Sequence, residues 1–163
     1  MGAGEEFAIR PIAPNEARRV EAGIFNWGSD MTLSDTPFHV MGLERLVEEQ
    51  PQDYIGKEAL ERIRREGVAR KLVGLVIDGD PLTFDPIGFW PAFSGGTEVG
   101  KVTDAVWSPR LEKNIGYVWV PIELADPGNV LAIESERGHL TATTAAIPFI
   151  DPRKEVPAAS FRS

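Results

Sequence analysis

The sequence predicts an α+β chain that is mainly β: a six-stranded antiparallel barrel of Greek-key or jelly-roll type, preceded by a short helical and extended N-terminal segment. Three observations point there. From Arg70 onward, short apolar or alternating segments recur at fairly even spacing, at 70–77, 88–93, 98–107, 114–120, 129–135 and 139–147. Between them lie Asp78-Gly79-Asp80-Pro81, Ser94-Gly95-Gly96, Asp126-Pro127-Gly128 and Arg137-Gly138, each with the Gly or Pro that a chain reversal needs. Before Arg70 the spacing is instead helical in two places. No single short segment can bury a face by itself, and closure into a barrel hides the edges that an open sheet exposes.

Taken in order, residues 1–14 carry little apolar periodicity and include Pro11 and Pro14, so they read as an extended lead-in. Asn15 is placed to cap a helix over 16–22, with Glu16 in its first turn and Gly23 suited to the left-handed residue that ends it. Two turns of helix are marginal in water, so this one must rest on something, and the apolar Ile24, Phe25 and Trp27 follow it. Ser34-Asp35-Thr36-Pro37 reads as a turn. Residues 38–49 fit both periods and are read as a strand. After a polar connection at 50–53, a helix is predicted over 57–66, with Leu60 and Ile63 on one face and Gly67 closing it. The core of the barrel is the stretch 99–120, where two runs rich in Val, Ile, Tyr and Trp flank the Pro-containing segment 108–114. Neither helix is expected to share the barrel core, and 156–163 reads as a loose tail.

Composition narrows the function classes. With 25 acidic and 17 basic residues the net charge is −8, a field that repels phosphate backbones and argues against nucleic acid. No apolar run is long enough to cross a bilayer, so no membrane partner is expected. The start of the chain carries no recognisable targeting address, and the reading is cytoplasmic. The absence of cysteine removes thiolate metal sites and cysteine nucleophiles.

Chemistry-bearing patterns are sparse. There is no phosphate-binding loop, no dinucleotide glycine pattern and no nucleophile elbow. His39 and His139 are a hundred residues apart and are read as satisfied or exposed histidines, not zinc ligands. Asp30 and Asp35 flank a Thr/Ser-rich turn; turn capping is favoured over cation binding. The densest polar cluster is Arg18, Arg19 and Glu21 beside Phe25 and Trp27. Two readings fit it: an arginine that anchors a ligand carboxylate while Trp27 stacks on a flat ring, or a helix salt bridge over a core aromatic. The second is favoured on physical grounds alone. Trp90, Trp107 and Trp119 fall in strand-like segments and read as packing residues.

An ordered set of motifs adds to this. PNEARRVEAGIFNWGSD at 14–30, Thr36-Pro37-Phe38, Tyr54-Ile55-Gly56-Lys57-Glu58-Ala59-Leu60, Lys71-Leu72-Val73-Gly74-Leu75, Val99-Gly100-Lys101-Val102-Thr103, Ser108-Pro109, Lys113-Asn114-Ile115-Gly116 and Ile147-Pro148-Phe149 run in sequence. Together they resemble the glycine-cleavage T-protein (aminomethyltransferase) family over nearly the whole chain. The resemblance implies that 1–69 form the end of a folate-binding domain, 70–152 a C-terminal barrel and 153–163 a tail. It implies tetrahydrofolate as cofactor, a methyl or aminomethyl donor as substrate, and an N-terminal portion or a lipoyl carrier protein as partner. Trp27 is then expected against the ring or aminobenzoyl part, and Arg19 and Arg153 toward the glutamyl carboxylates. In the family, the aspartate beside folate N5 and the glutamate holding the pteridine belong to an N-terminal portion not matched here. No catalytic residue is therefore assigned, and the chain alone is expected to be inactive. Pro14-Asn15-Glu16 stands where T-proteins have Ala-Arg-Asp, and Trp27-Gly28 where they have Tyr-Gly; this pattern resembles more closely the demethylase branch that includes dimethylsulfoniopropionate demethylase. The alternatives are the similar folate module of sarcosine and dimethylglycine dehydrogenases, or a stand-alone barrel that serves as an interaction module.

Overall fold

A computed structural model describes residues 15–47, 51–83, 86, 88–153 and 155. Six strands close a barrel in the order β1-β4-β3-β2-β5-β6, with β1 at Arg70–Ile77, β2 at Trp90–Ser94, β3 at Thr97–Ser108, β4 at Lys113–Pro121, β5 at Val130–Ser135 and β6 at Gly138–Ala145. Every pairing is antiparallel. Three neighbouring pairs are hairpins, whereas β1–β4, β2–β5 and β1–β6 join distant stretches, which is the Greek-key signature. Among the described residues two α-helices precede the barrel, α1 at Glu16–Glu21 and α2 at Lys57–Glu66.

Alternation sorts the strands into two apolar clusters. Val73, Leu75, Ile77, Trp90, Val102, Val118, Val120, Leu131 and Ile133 fill the barrel interior. The intervening residues Leu72, Ile115, Tyr117 and Trp119 form a second cluster on the outer face of β1 and β4, completed by Val20 of α1 and Val40. Residues 114–120 are thus buried on both sides, which explains their near-continuous apolar run. As expected, α1 and α2 stay outside the interior cluster; α2 has no buried residue, with Leu60 and Ile63 only half-covered.

Two glycines allow the β3–β4 pair to close. A Cβ on Gly100 would overlap the Trp119 carbonyl, and one on Gly116 the Asp104 carbonyl. Both obstacles are backbone, so only glycine fits.

The strand predicted over 38–49 is not formed. Residues 37–39 and 44–46 make single 3₁₀ turns, and Val40 alone bridges to Leu72. The cause is local: Pro37 opens the first turn and Gly42 adopts a φ of 83°, so an apolar residue is buried without continuing a ladder. Residues 48 and 49 of that prediction, the lead-in at 1–14 and the tail at 156–163 lie outside the described residues. Strand β6 ends at Ala145, two residues before the predicted limit, and the helix predicted over 16–22 ends at Glu21.

Candidate functional site

The polar cluster singled out in the sequence is assembled by α1, the turn that follows it, and a bulge in β3. Asn15 caps α1, its Oδ1 accepting the Arg18 N–H at 3.0 Å. One turn on, Arg19 lies under the loop. Its Nε donates to Glu16 at 2.8 Å, and its Nη1 to the Ile24 carbonyl at 2.7 Å and to Asp30 at 2.9 Å. Nη2 pairs with Glu16 and Asp104. Asp30 also accepts the Asn26 N–H and the Thr103 hydroxyl, both at 2.7 Å. Thr103 and Asp104 are consecutive, and in a regular strand would face opposite sides. The ladder shifts register between Val102 and Asp104, and this bulge lets both residues reach the same network.

Below the network, the Tyr117 hydroxyl donates to the Val20 and Ile24 carbonyls at 3.1 and 3.3 Å, and Trp119 Nε1 donates to the Asp30 carbonyl at 2.8 Å. Burial pushes the Tyr117 phenol well above its ordinary pKa, so it remains a donor across the accessible pH range. The segment from Ile24 to Met31 is therefore fixed from beneath, and it holds Trp27 outward, 63% exposed.

The predicted site residues have different fates. Arg19 serves three carboxylates and one carbonyl, which is the salt-bridge reading of the cluster. Trp27 is an open indole surface. Arg153 lies 84% exposed beyond the network and pairs with Glu155 at 3.9 Å. Arg19, Trp27 and Arg153 share no hydrogen bond or ion pair with one another. Asp30 and Asp35 both take capping roles: Asp35 accepts the Thr32 N–H at 2.9 Å and hydroxyl at 3.0 Å and pairs with Arg70 at 2.9 Å.

Arg70 in turn lies 4.5 Å over the Trp119 ring. Beside it, His39 Nδ1 accepts the Thr36 N–H at 3.0 Å, which leaves the neutral ring protonated on Nε2. Burial holds His39 below the ordinary histidine value of 6.5, and Arg70 acts in the same direction against Asp35. The unfolded chain thus takes up this proton first. The stability that neutral His39 contributes is complete above pH 6.5 and declines as pH falls through the lower folded value. His39→Asn keeps an acceptor for Thr36 and should flatten the fall in urea midpoint as pH drops below 6.5; parallel falls in both proteins would contradict it.

On the other side of α1, residues from the helix, the end of β3 and 148–151 bound a cleft of about 1090 Å³. Its lining includes Arg18, Glu21, Trp107 and Arg110. Of these, Arg18 and Glu21 belong to the cluster read from sequence. Arg110 was not singled out, and Trp107 was read as packing; only its position before Ser108-Pro109, where the strand ends, marks it. No group of three metal-ligating side chains occurs among the described residues, and no described helix is long and apolar enough to cross a membrane.

Comparison with known proteins follows this geometry. Residues 70–151 match the glycine cleavage T-protein C-terminal barrel domain. The chain is 36% identical over 144 residues to dimethylsulfoniopropionate demethylase of Ruegeria pomeroyi, covering 88% of this chain and 38% of that protein. It is 34% identical over 139 residues to an aminomethyltransferase of Prochlorococcus marinus, covering 85% and 36%. It is 32% identical over 153 residues to mitochondrial dimethylglycine dehydrogenase of Mus musculus, covering 92% and 17%. The crystal structure of glycine cleavage system aminomethyltransferase T from Bartonella henselae superposes with a TM-score of 0.73 at 23% identity, over 83% of this chain and 38% of that one, and so shares the fold. The chain thus spans less than two fifths of these relatives' length. With the six expected strands closed into an antiparallel barrel and that barrel matched along its full extent, the chain belongs to the glycine-cleavage T-protein family, with relatives among both its aminomethyltransferases and its demethylases.

Proposed function

We propose that this chain is the C-terminal region of a tetrahydrofolate-dependent aminomethyl- or methyltransferase, with 1–69 closing a folate-binding domain and 70–152 forming the barrel. The observation that carries this reading is that similarity to family members continues well beyond the barrel, over 85–92% of the chain, and so includes α1 and the Trp27 turn. In this reading Trp27 offers its exposed indole to a ring, and Arg153 its exposed guanidinium to a glutamyl carboxylate. Arg19 positions the Trp27 turn and has no free N–H for a ligand. Bound folate supplies the acceptor for the one-carbon group, and this chain's residues bind and orient it from one side. Substrate is a methyl or aminomethyl donor, and the partner of the aminomethyl branch is a lipoyl carrier protein.

The groups that the family places at N5 and on the pteridine are not among these residues, so the chain alone is expected to bind folate weakly and transfer nothing. Each charge-assisted bond forgone is worth about 1.5–3 kcal/mol, enough for two of them to move a micromolar site to about the millimolar range. Calorimetric titration of the 163-residue chain with a reduced folate tests this. Millimolar binding, weakened further by Trp27→Ala and strengthened when the N-terminal portion of a relative is added, is the expected result. Micromolar binding by the chain alone, or turnover of any methyl donor, would overturn it.

A further inference from the structure

The reversal that follows β1 is anchored on both sides and free in between. On one side the Asp78 N–H donates to the Thr141 carbonyl at 2.8 Å. On the other, the buried Asn114 holds the next segment, its Nδ2 donating to the Asp80 carbonyl at 3.0 Å and its Oδ1 accepting the Leu82 N–H at 2.8 Å. Leu82 is thereby laid against the interior cluster, so 80–82 cap this end of the barrel. Gly79, between the anchors, sits in a bend at a φ of 109° and makes no backbone hydrogen bond among the described residues. Nothing lies within 4 Å of the position its Cβ would take. The Asp78 side chain is exposed, with no hydrogen bond or ion pair among the described residues. Other aspartates differ in one respect or another. Asp30, Asp35 and Asp104 are held by arginines, while Asp80, Asp126 and Asp151 precede prolines, which have no N–H.

We propose that Asp78-Gly79 is a covalent modification site, where the folded chain isomerises to isoaspartate, and that the isomer releases the cap held by Asn114. In the first step Gly79 N attacks Asp78 Cγ. The N–Cγ bond forms as a carboxyl C–O bond breaks, and the Gly79 amide proton leaves with the carboxyl hydroxyl as water, giving a cyclic imide. Water then reopens the ring. Cleavage at Cγ restores aspartate, whereas cleavage between the Asp78 main-chain carbonyl carbon and Gly79 N leaves the chain running through Cβ and Cγ. The water lost in the first step is regained in the second, and nothing is oxidised or reduced. Attack needs a neighbour without a Cβ in the path, an amide nitrogen not tied into a ladder or turn, and a carboxyl that no cation or donor holds ionised. Gly79 and Asp78 meet all three conditions. The isomer inserts one methylene into the main chain between the Thr141 and Asn114 anchors, and a close-packed cap has no room to absorb it.

The test is a warm incubation of the full folded chain in water enriched in heavy oxygen, followed by peptide chromatography and labelling with an isoaspartyl methyltransferase. The peptide carrying Asp78 is expected to gain a heavy oxygen and to split into two forms, of which the new one alone accepts the methyl label. Conversion should run faster at about pH 5 than at about pH 8, because the attacked carboxyl must be protonated. Asp78→Glu, an exposed change that keeps the charge and disfavours the ring, should abolish both signals and leave the urea midpoint in place. In the isomerised fraction, separated by ion exchange, the Leu82 N–H should exchange with solvent about tenfold faster than in the parent. Conversion in urea with none in the folded chain would show that the fold protects Gly79 N, and would overturn the site. Equal Leu82 exchange in the two forms would overturn the release of the cap.

Discussion

Arg19→Met is expected to destabilise the chain by about 3–5 kcal/mol, read as a drop in the urea midpoint with unchanged slope. The guanidinium is 13% exposed, while its partners Asp30 and Asp104 have side chains 0% and 10% exposed. Methionine fills much of the volume and leaves two buried carboxylates with no cation, which is the costly half of breaking a buried pair. Thr103 and the Asn26 N–H would still serve Asp30, but Asp104 would keep no charged partner. Glu16→Gln is the contrast: its side chain is 42% exposed, and the same measurement should register less than about 1 kcal/mol. An arginine kept for a ligand would behave otherwise. Its loss would leave the midpoint in place and lower only affinity, so an unchanged midpoint for Arg19→Met would refute the structural role.

Gly116→Ala should cost about 3 kcal/mol, the upper end of overpacking penalties, because the added Cβ meets the Asp104 carbonyl. A side chain can turn aside; a strand paired along its length cannot. The comparison is Gly28→Ala in the Trp27 turn, where φ is 97° and nothing lies within 4 Å of the new Cβ, leaving only backbone strain of about 1–2 kcal/mol. Thermal midpoints of the two variants separate close approach from conformational strain. Equal losses would mean that β3 and β4 are not pressed together at Gly116.

The barrel was legible because its punctuation is chemical. Glycine and proline sit at four of the reversals, and β1 was placed at its observed limits, since its apolar run starts after Gly67 and stops at Asp78. Residues 38–49 misled because Val40 is as buried as any strand residue yet pairs at a single point. In the site, the charge density around Arg19 was visible, as was the cap at Asn15. A salt-bridge role for the cluster was favoured, but the partner Asp104 was hidden, because it reaches Arg19 through a bulge, and alternation along β3 assigns Thr103 and Asp104 to opposite faces. Likewise Glu21 and Ser108 are 87 residues apart, and no local pattern pairs them.

The strand order also dictates when the molecule can be finished. A ribosome delivers β1 first among the strands, yet among the described residues its strand partners are β4 and β6, which begin at Lys113 and Gly138, and the one earlier contact is the single bridge from Leu72 to Val40. The three hairpins, β2–β3, β3–β4 and β5–β6, can form as they emerge. The interior Val and Leu side chains of β1 gain a first strand neighbour with β4 and the second only with the last strand, and the α1 carbonyl of Glu21 waits longer still for the N–H groups of Phe149 and Ile150. Closure is thus a late event that joins the two ends of the described chain, and until those final residues are delivered the β1–β4–β3 face on which α1 rests stays open along β1.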